Sequence, residues 1–173
     1  MKEIDLQSDT VAAVRAAGGA ARKLSHRFVL GVPDLLVKLP GWPAALVEVK
    51  KNPYPARSNM VVPELTWQQF RFLTEFETSG MPAAVLSFLI RGLDRWAAVH
   101  DISGIQMNEG KDGYCAYVSN YRPLGRGNDW RKNIAPLLDS WLQDLADANR
   151  GAKVISVPGV VFQHKEATSG EGR

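Results

Sequence analysis

Two short apolar runs separated by a turn constrain this chain more than any other feature of it. Val32 to Leu39 and Ala44 to Lys50 are dense in leucine and valine, and Pro40-Gly41-Trp42 lies between them. Runs of this length bounded by turn residues are strand signals, and their spacing predicts an antiparallel hairpin. With the turn centred on Gly41, Leu39 faces Pro43, Leu36 faces Leu46 and Asp34 faces Glu48. Side chains alternate along a strand, so Glu48 and Lys50 share one face. Two acids and a lysine therefore converge at one end of an otherwise apolar hairpin.

Directly opposed carboxylates lie about 4.5–5.5 Å apart at Cβ and repel each other. A bound cation removes that repulsion. Two carboxylates with few other ligands suit magnesium, which takes oxygen donors and keeps several waters; manganese is the expected substitute. The carbonyl of Val49 is a further candidate oxygen. Lys50 would hold an attacking water or neutralise charge on a phosphate. The competing explanation is a salt bridge among Asp34, Glu48 and Lys50 on a solvent-facing strand. Against it, Leu35, Val37, Leu46, Val47 and Val49 mark both strands as central, and buried charges need partners.

Around the hairpin the pattern is that of a mixed α/β domain. Residues 3 to 17 read as a helix with Ile4, Val11, Val14 and Gly18 on one side, ended by Gly18-Gly19. A short strand is expected within Ala20 to Val29. Residues 52 to 64, with Pro53, Pro55 and Pro63, read as a loop. Thr66 is a plausible N-cap for a helix to Thr78, which Gly80 and Pro82 stop. Ala83 to Ile90 is a continuous apolar run, expected to be a buried strand with Trp96 to Ile102 as its hairpin partner. Gly113 to Val118 is a candidate short strand. From 133 to 148 an amphipathic helix places Ile134, Leu137, Leu138, Trp141, Leu145 and Ala148 on one face, with Pro136 in its first turn. Val154 to Phe162 is a candidate last strand, and 166–173 reads as a disordered tail. The expected division is a core at 1–105, an extension packed on it at 106–165, and the tail.

A chain of 173 residues suffices for one domain with a real core. Its formal net charge of +3 permits a nucleic-acid partner without demanding one. The basic clusters say more: Arg22, Lys23, His26 and Arg27; Lys50, Lys51 and Arg57; Arg122, Arg126, Arg131 and Lys132. Each is either a phosphate-binding patch or a solvated surface. The lone cysteine, Cys115, excludes an intrachain disulfide and argues against a cysteine-ligated zinc site. The N-terminus has no apolar signal-peptide core and no apolar run nears the ~20 residues of a membrane span. The expectation is a cytoplasmic protein with no membrane partner.

The segment GVPDLLVKLP, followed by ALVEVKK, resembles the core motif of the PD-(D/E)xK nuclease superfamily. Pro33-Asp34 matches PD and Glu48-Val49-Lys50 matches ExK, with Gly31 before the first element. Downstream, Leu65-Thr66-Trp67-Gln68-Gln69 with Phe72-Leu73 resembles the LTxxQxxFL helix of VRR-NUC-type and related phage nucleases. Upstream, Glu3-Ile4-Asp5-Leu6-Gln7 resembles their opening ExDxQ helix. The resemblance covers about residues 3 to 90 and implies a restriction-endonuclease-like α/β core, in the order αβββαβ, whose mixed central sheet is flanked by helices. A C-terminal helical extension would follow it.

By this resemblance Asp34 and Glu48 bind the metal and Lys50 assists the attacking water. Related enzymes often add an acid from the first helix. Glu3, Asp5 and Asp9 compete for that place; Glu3 is chosen because it and Gln7 lie on the edge of the apolar face, whereas Asp5 and Asp9 point away. Gln69 falls within the stripe of Leu65, Phe72 and Phe76, as either a satisfied core amide or a residue touching the site. Arg27, His26, Lys51 and Arg57 are the candidate DNA contacts, with a plain surface role as the alternative for His26. The implied activity is magnesium-dependent DNA hydrolysis of phage or mobile-element type, with branched, Holliday-junction-like DNA as substrate. The two-fold symmetry of such junctions would suit a homodimer. An exonuclease, a restriction-type endonuclease and a non-catalytic DNA-binding or assembly protein on the same fold are the alternatives. The sign to look for is whether Asp34 and Glu48 meet.

Overall fold

The structure, a computed structural model, describes residues 1–24, 30–107, 113–127 and 129–152. Its centre is a six-stranded sheet in the order β1-β2-β3-β5-β6-β8. The strands are β1 (Ala20–Lys23), β2 (Leu35–Lys38), β3 (Ala45–Pro53), β5 (Ala83–Arg91), β6 (Asp94–Asp101) and β8 (Arg122–Arg126). Among the described residues only β3 and β5 pair in parallel; the other pairs along the sheet are antiparallel. A parallel pair needs a crossover, which here is α2 (Trp67–Thr78). Two short strands, β4 (Met60–Val61) and β7 (Ala116–Tyr117), form a second, two-stranded sheet.

Helices cover both faces of the large sheet. On one face α1 (Glu3–Ala16) and α3 (Ile134–Ala152) pack Leu6, Val14, Ile134, Leu138 and Trp141 against Val47, Val49, Leu86 and Phe88. On the other, α2, the small sheet and the segment before β7 pack Leu73, Val61, Ala116 and Tyr114 against Leu46, Val85 and Ala98. Burial from both sides explains why β3 and β5 read as unbroken apolar runs. The fold class is therefore the expected one: a mixed α/β domain with a central sheet flanked by helices.

Several elements depart from the sequence expectations. In α1 the buried positions are Leu6, Thr10, Ala13 and Val14, while Ile4 is 58% exposed, so the buried face is rotated from the one expected through Ile4 and Val11. Thr10 goes inside because its hydroxyl donates to the Leu6 carbonyl at 2.8 Å, which satisfies it within the helix. Residues 52–64 are not all loop: β3 runs on to Pro53, and Met60–Val61 pair with β7. β8 was not expected at all. Its Pro123 and Gly125 argue against a central strand, but β8 is the sheet's edge, where a proline costs no needed hydrogen bond. β6 starts at Asp94 rather than Trp96, and a 3-10 turn at Asp129–Asn133 leads into α3. Ala148 is exposed rather than on the apolar face of α3. The short strand expected within Ala20 to Val29 is β1, over Ala20–Lys23, while the strand expected at 154–162 and the tail at 166–173 lie outside the described residues. Among the described residues, no helix is long and apolar enough to cross a membrane.

Candidate active site

The hairpin has the expected register: Leu35 pairs with Val47, Leu36 with Leu46 and Val37 with Ala45. Gly41 turns it with a φ of 81°, a conformation that glycine adopts without strain. The ladder stops one residue short of Asp34, which lies just before β2. Its side chain takes over where the ladder ends: Oδ2 accepts the Val49 amide N–H at 2.8 Å. The Asp34 N–H in turn donates to Glu48 Oε2 at 3.2 Å. The two acids thus face each other as the register requires, each bonded to the backbone of the opposite strand.

Gly31 sets the approach of this segment to α2. Its φ is +86°, and a Cβ built there would lie 2.5 Å from the Gln68 carbonyl oxygen. Only a residue without a side chain lets the chain before Pro33-Asp34 pass this close to the start of the helix. Thr66 caps that helix, its hydroxyl accepting the Gln69 N–H at 3.2 Å, while Gln69 Oε1 accepts the Thr66 N–H at 3.1 Å. This reciprocal pair is a capping box. It also fixes where the Gln69 amide points.

Gln69 Nε2 donates to Glu48 Oε1, and Gln69 Oε1 accepts from Lys50 Nζ at 3.2 Å. Lys50 Nζ also lies 2.8 Å from Glu48 Oε1. Glu48 is only 1% exposed, so these donors answer a carboxylate that water does not reach. The ion pair of the competing explanation exists, but on a buried strand rather than a solvent-facing one. Likewise Gln69 is not an amide satisfied by its own helix alone, because it bonds both charged members of the cluster.

Burial pushes the Glu48 carboxyl up to about 7, aided by the negative charge of Asp34 and opposed by Lys50. Asp34 is raised as well, chiefly by burial; the Val49 N–H and the charges of Lys50 and Lys23 pull the other way, and Glu3 adds to the rise. Two carboxyls held face to face and both pushed upward are short of positive charge. Their donors are all oxygen, with no histidine or thiol between them. That set fits a hard divalent cation with few protein ligands. Among the described residues, no group of three acid, histidine or cysteine side chains comes together as a metal cage.

The structure brings together Asp34, Glu48, Lys50 and Gln69. The Val49 side chain is buried in the core and its N–H serves Asp34. The Glu3 carboxylate accepts the Lys51 amide N–H at 3.1 Å and reaches Asp34 through its charge alone. The side chains of Lys51 and Arg57 are exposed. His26 and Arg27 lie outside the described residues. Of the third basic cluster, Arg131 pairs with Asp9 at 2.8 Å, Arg126 with Asp94 at 3.6 Å and Lys132 with Asp129 at 3.9 Å.

Gln7 was not among the expected site residues, yet its Nε2 donates to Asp34 Oδ1 at 2.6 Å. The signal was present, since Gln7 follows Glu3 by one helical turn on the same edge of α1.

No family model matches the sequence, and no curated protein matches it. Solved structures do. Hjc, a Holliday junction resolvase from the archaeal hyperthermophile Archaeoglobus fulgidus, superposes with a TM-score of 0.50 at 18% identity, over 70% of this chain and 88% of its own. A VRR_NUC domain is 31% identical over 48% of this chain and 81% of its own, with a TM-score of 0.37. The fold is thus shared with a Holliday junction resolvase.

Proposed function

We propose that this chain is a divalent-metal-dependent nuclease that hydrolyses DNA phosphodiester bonds, as a structure-specific endonuclease acting on branched, Holliday-junction-like DNA. The observation that carries the reading is the meeting of Asp34 and Glu48 across the hairpin, with Lys50 at 2.8 Å from Glu48. The resolvase-like fold is consistent with it but does not carry it, since fold alone does not make an activity.

In this reading Asp34 and Glu48 hold magnesium, with manganese as a substitute, and Glu3 and the Val49 carbonyl are the further candidate donors. When bound, such a cation polarises the scissile phosphate and makes a nearby water more acidic. Lys50 is an ammonium with three donors. Glu48 and Gln69 take two of them, and the third can be offered to a phosphate oxygen or to the attacking water, stabilising charge that develops in the transition state. Gln69 holds Lys50 and Glu48 in register with each other. Lys51, on β3, and Arg57, both exposed, supply phosphate contacts, as do His26 and Arg27.

Linear, flapped and four-way DNA incubated with magnesium, manganese or EDTA tests the proposal, with Lys50→Ala as control. The expected result is metal-dependent cutting of the branched substrates, absent in EDTA and in the variant. Full cutting by Glu48→Ala, or cutting in EDTA, would refute it. Equal cutting of linear and branched DNA would keep the nuclease and remove the branch preference.

A further inference from the structure

We infer that Gln7 is a positioning residue for Asp34, holding its carboxylate in the orientation that admits a divalent cation. The inference rests on the nuclease reading and names a part of that same site.

Asp34 lies outside the β2 ladder, so no strand pairing fixes its side chain. Two hydrogen bonds do so instead. The Val49 N–H holds Oδ2 at 2.8 Å and Gln7 Nε2 holds Oδ1 at 2.6 Å. An amide facing a carboxylate must present its NH2 group, so the donor assignment follows from the partner. The arrangement around Glu48 matches it: the Asp34 N–H holds Oε2 and Gln69 Nε2 holds Oε1. Each acid is gripped by one backbone amide and one glutamine, Glu48 by Lys50 as well, and the glutamines come from helices on opposite faces of the sheet.

The chemistry of the donor matters. A neutral amide orients a carboxylate without cancelling its charge, so the cation keeps its full attraction. A lysine in that place would compete with the metal. Gln7 also projects from a rigid element, because its neighbours Leu6 and Thr10 are fully buried against the sheet. Groups that orient a ligand from a fixed scaffold typically alter metal affinity by about 10- to 100-fold. If Gln7 merely docked α1, its loss would lower stability and leave metal binding alone.

Calorimetric titration of the DNA-free protein with Mn2+ separates the two, run beside thermal melting in EDTA. Gln7→Met keeps the length and the helix propensity but removes the donor. It should weaken Mn2+ binding about tenfold or more with little change in the EDTA melting point, and raising Mg2+ should recover part of the lost cleavage. Gln7→Lys keeps a donor to Asp34 and so the stability, but its charge should also weaken Mn2+ binding. Unchanged Mn2+ affinity in Gln7→Met, whatever Gln7→Lys does, or a loss confined to EDTA stability, overturns the inference while the nuclease reading stands. If wild-type protein binds no Mn2+ that Asp34→Asn removes, both fail together.

Discussion

Asp34 donates its backbone N–H to the Glu48 carboxylate at 3.2 Å, so two acids that repel through their charges are joined through one main-chain bond. The bond belongs to the hairpin, not to any ligand. It means the pair is assembled by folding and carries its repulsion with it, and the consequences of that stored repulsion can be measured.

The first concerns pH. Glu48 is raised from 4.5 to about 7. Between those values the folded protein holds a proton that the unfolded chain has released. Stability contributed by this group is therefore present below the unfolded value and lost as pH rises through about 7. Asp34 acts in the same direction. In EDTA, the wild-type protein should lose stability relative to Glu48→Gln between about pH 5 and about pH 8, and Mg2+ should restore wild type alone. Parallel melting curves for the two proteins across that range would contradict the assignment.

Lys50 is the second. Its ammonium lies 2.8 Å from a carboxylate that is 1% exposed. Removing one partner of a buried ion pair leaves the other uncompensated, a loss of about 3 kcal/mol. Lys50→Met should cost about this much in urea unfolding near pH 8 without metal, and less near pH 5, where Glu48 is protonated. Cleavage should fall at least about a hundredfold, the scale of losing one charge-stabilising donor. A variant that cut normally would take Lys50 out of the chemistry.

Gly31 offers a test of geometry. An alanine there would need a φ of +86° and a Cβ 2.5 Å from the Gln68 carbonyl oxygen. Neither contact can relax without moving Asp34 or the start of α2. Gly31→Ala should cost about 2 kcal/mol or more and weaken Mn2+ binding, although Gly31 carries no donor. Wild-type melting and Mn2+ affinity would show that the segment has more room than the structure gives it.

His100 responds to acid in the opposite sense to Glu48. Its Nε2 is buried with no hydrogen-bond partner among the described residues, and the ring lies edge-on to Tyr114 and Tyr121, with centroids 5.3 and 5.6 Å away. Burial lowers it from 6.5 to about 4. The unfolded chain binds the proton first, so stability is lost as pH falls through that window. His100→Phe should melt higher than wild type near pH 5 relative to their difference near pH 8. An unchanged difference would place the ring in contact with water.

How much of this was legible follows the range of the forces involved. The register of the hairpin, and with it the meeting of Asp34 and Glu48, follows from turn position and side-chain alternation, which are local. The capping role of Thr66 is local too, and it orients Gln69. The buried face of α1 was misjudged because Ile4 is more apolar than Thr10; the helix sits on the sheet by Leu6 and Val14, and Thr10 satisfies itself on Leu6. That rotation is what aims Gln7 at Asp34. The β4–β7 pairing joins residues too far apart in sequence for any periodicity to reveal, and β8 is short, edge-placed and interrupted by Pro123.

The gripping of each acid by a glutamine bears on how the chain folds. Gln7 and Asp34 are 27 residues apart, and Glu48 and Gln69 are 21 apart. A hairpin formed ahead of the helices would bring the acids together with neither amide in place. Docking one helix then begins to bury the pair while one acid still lacks its amide, a cost that the second helix removes. The site therefore penalises half-built forms, and it couples the docking of α1 to that of α2. Residues that look like chemistry alone also act as a cooperativity device for the whole domain.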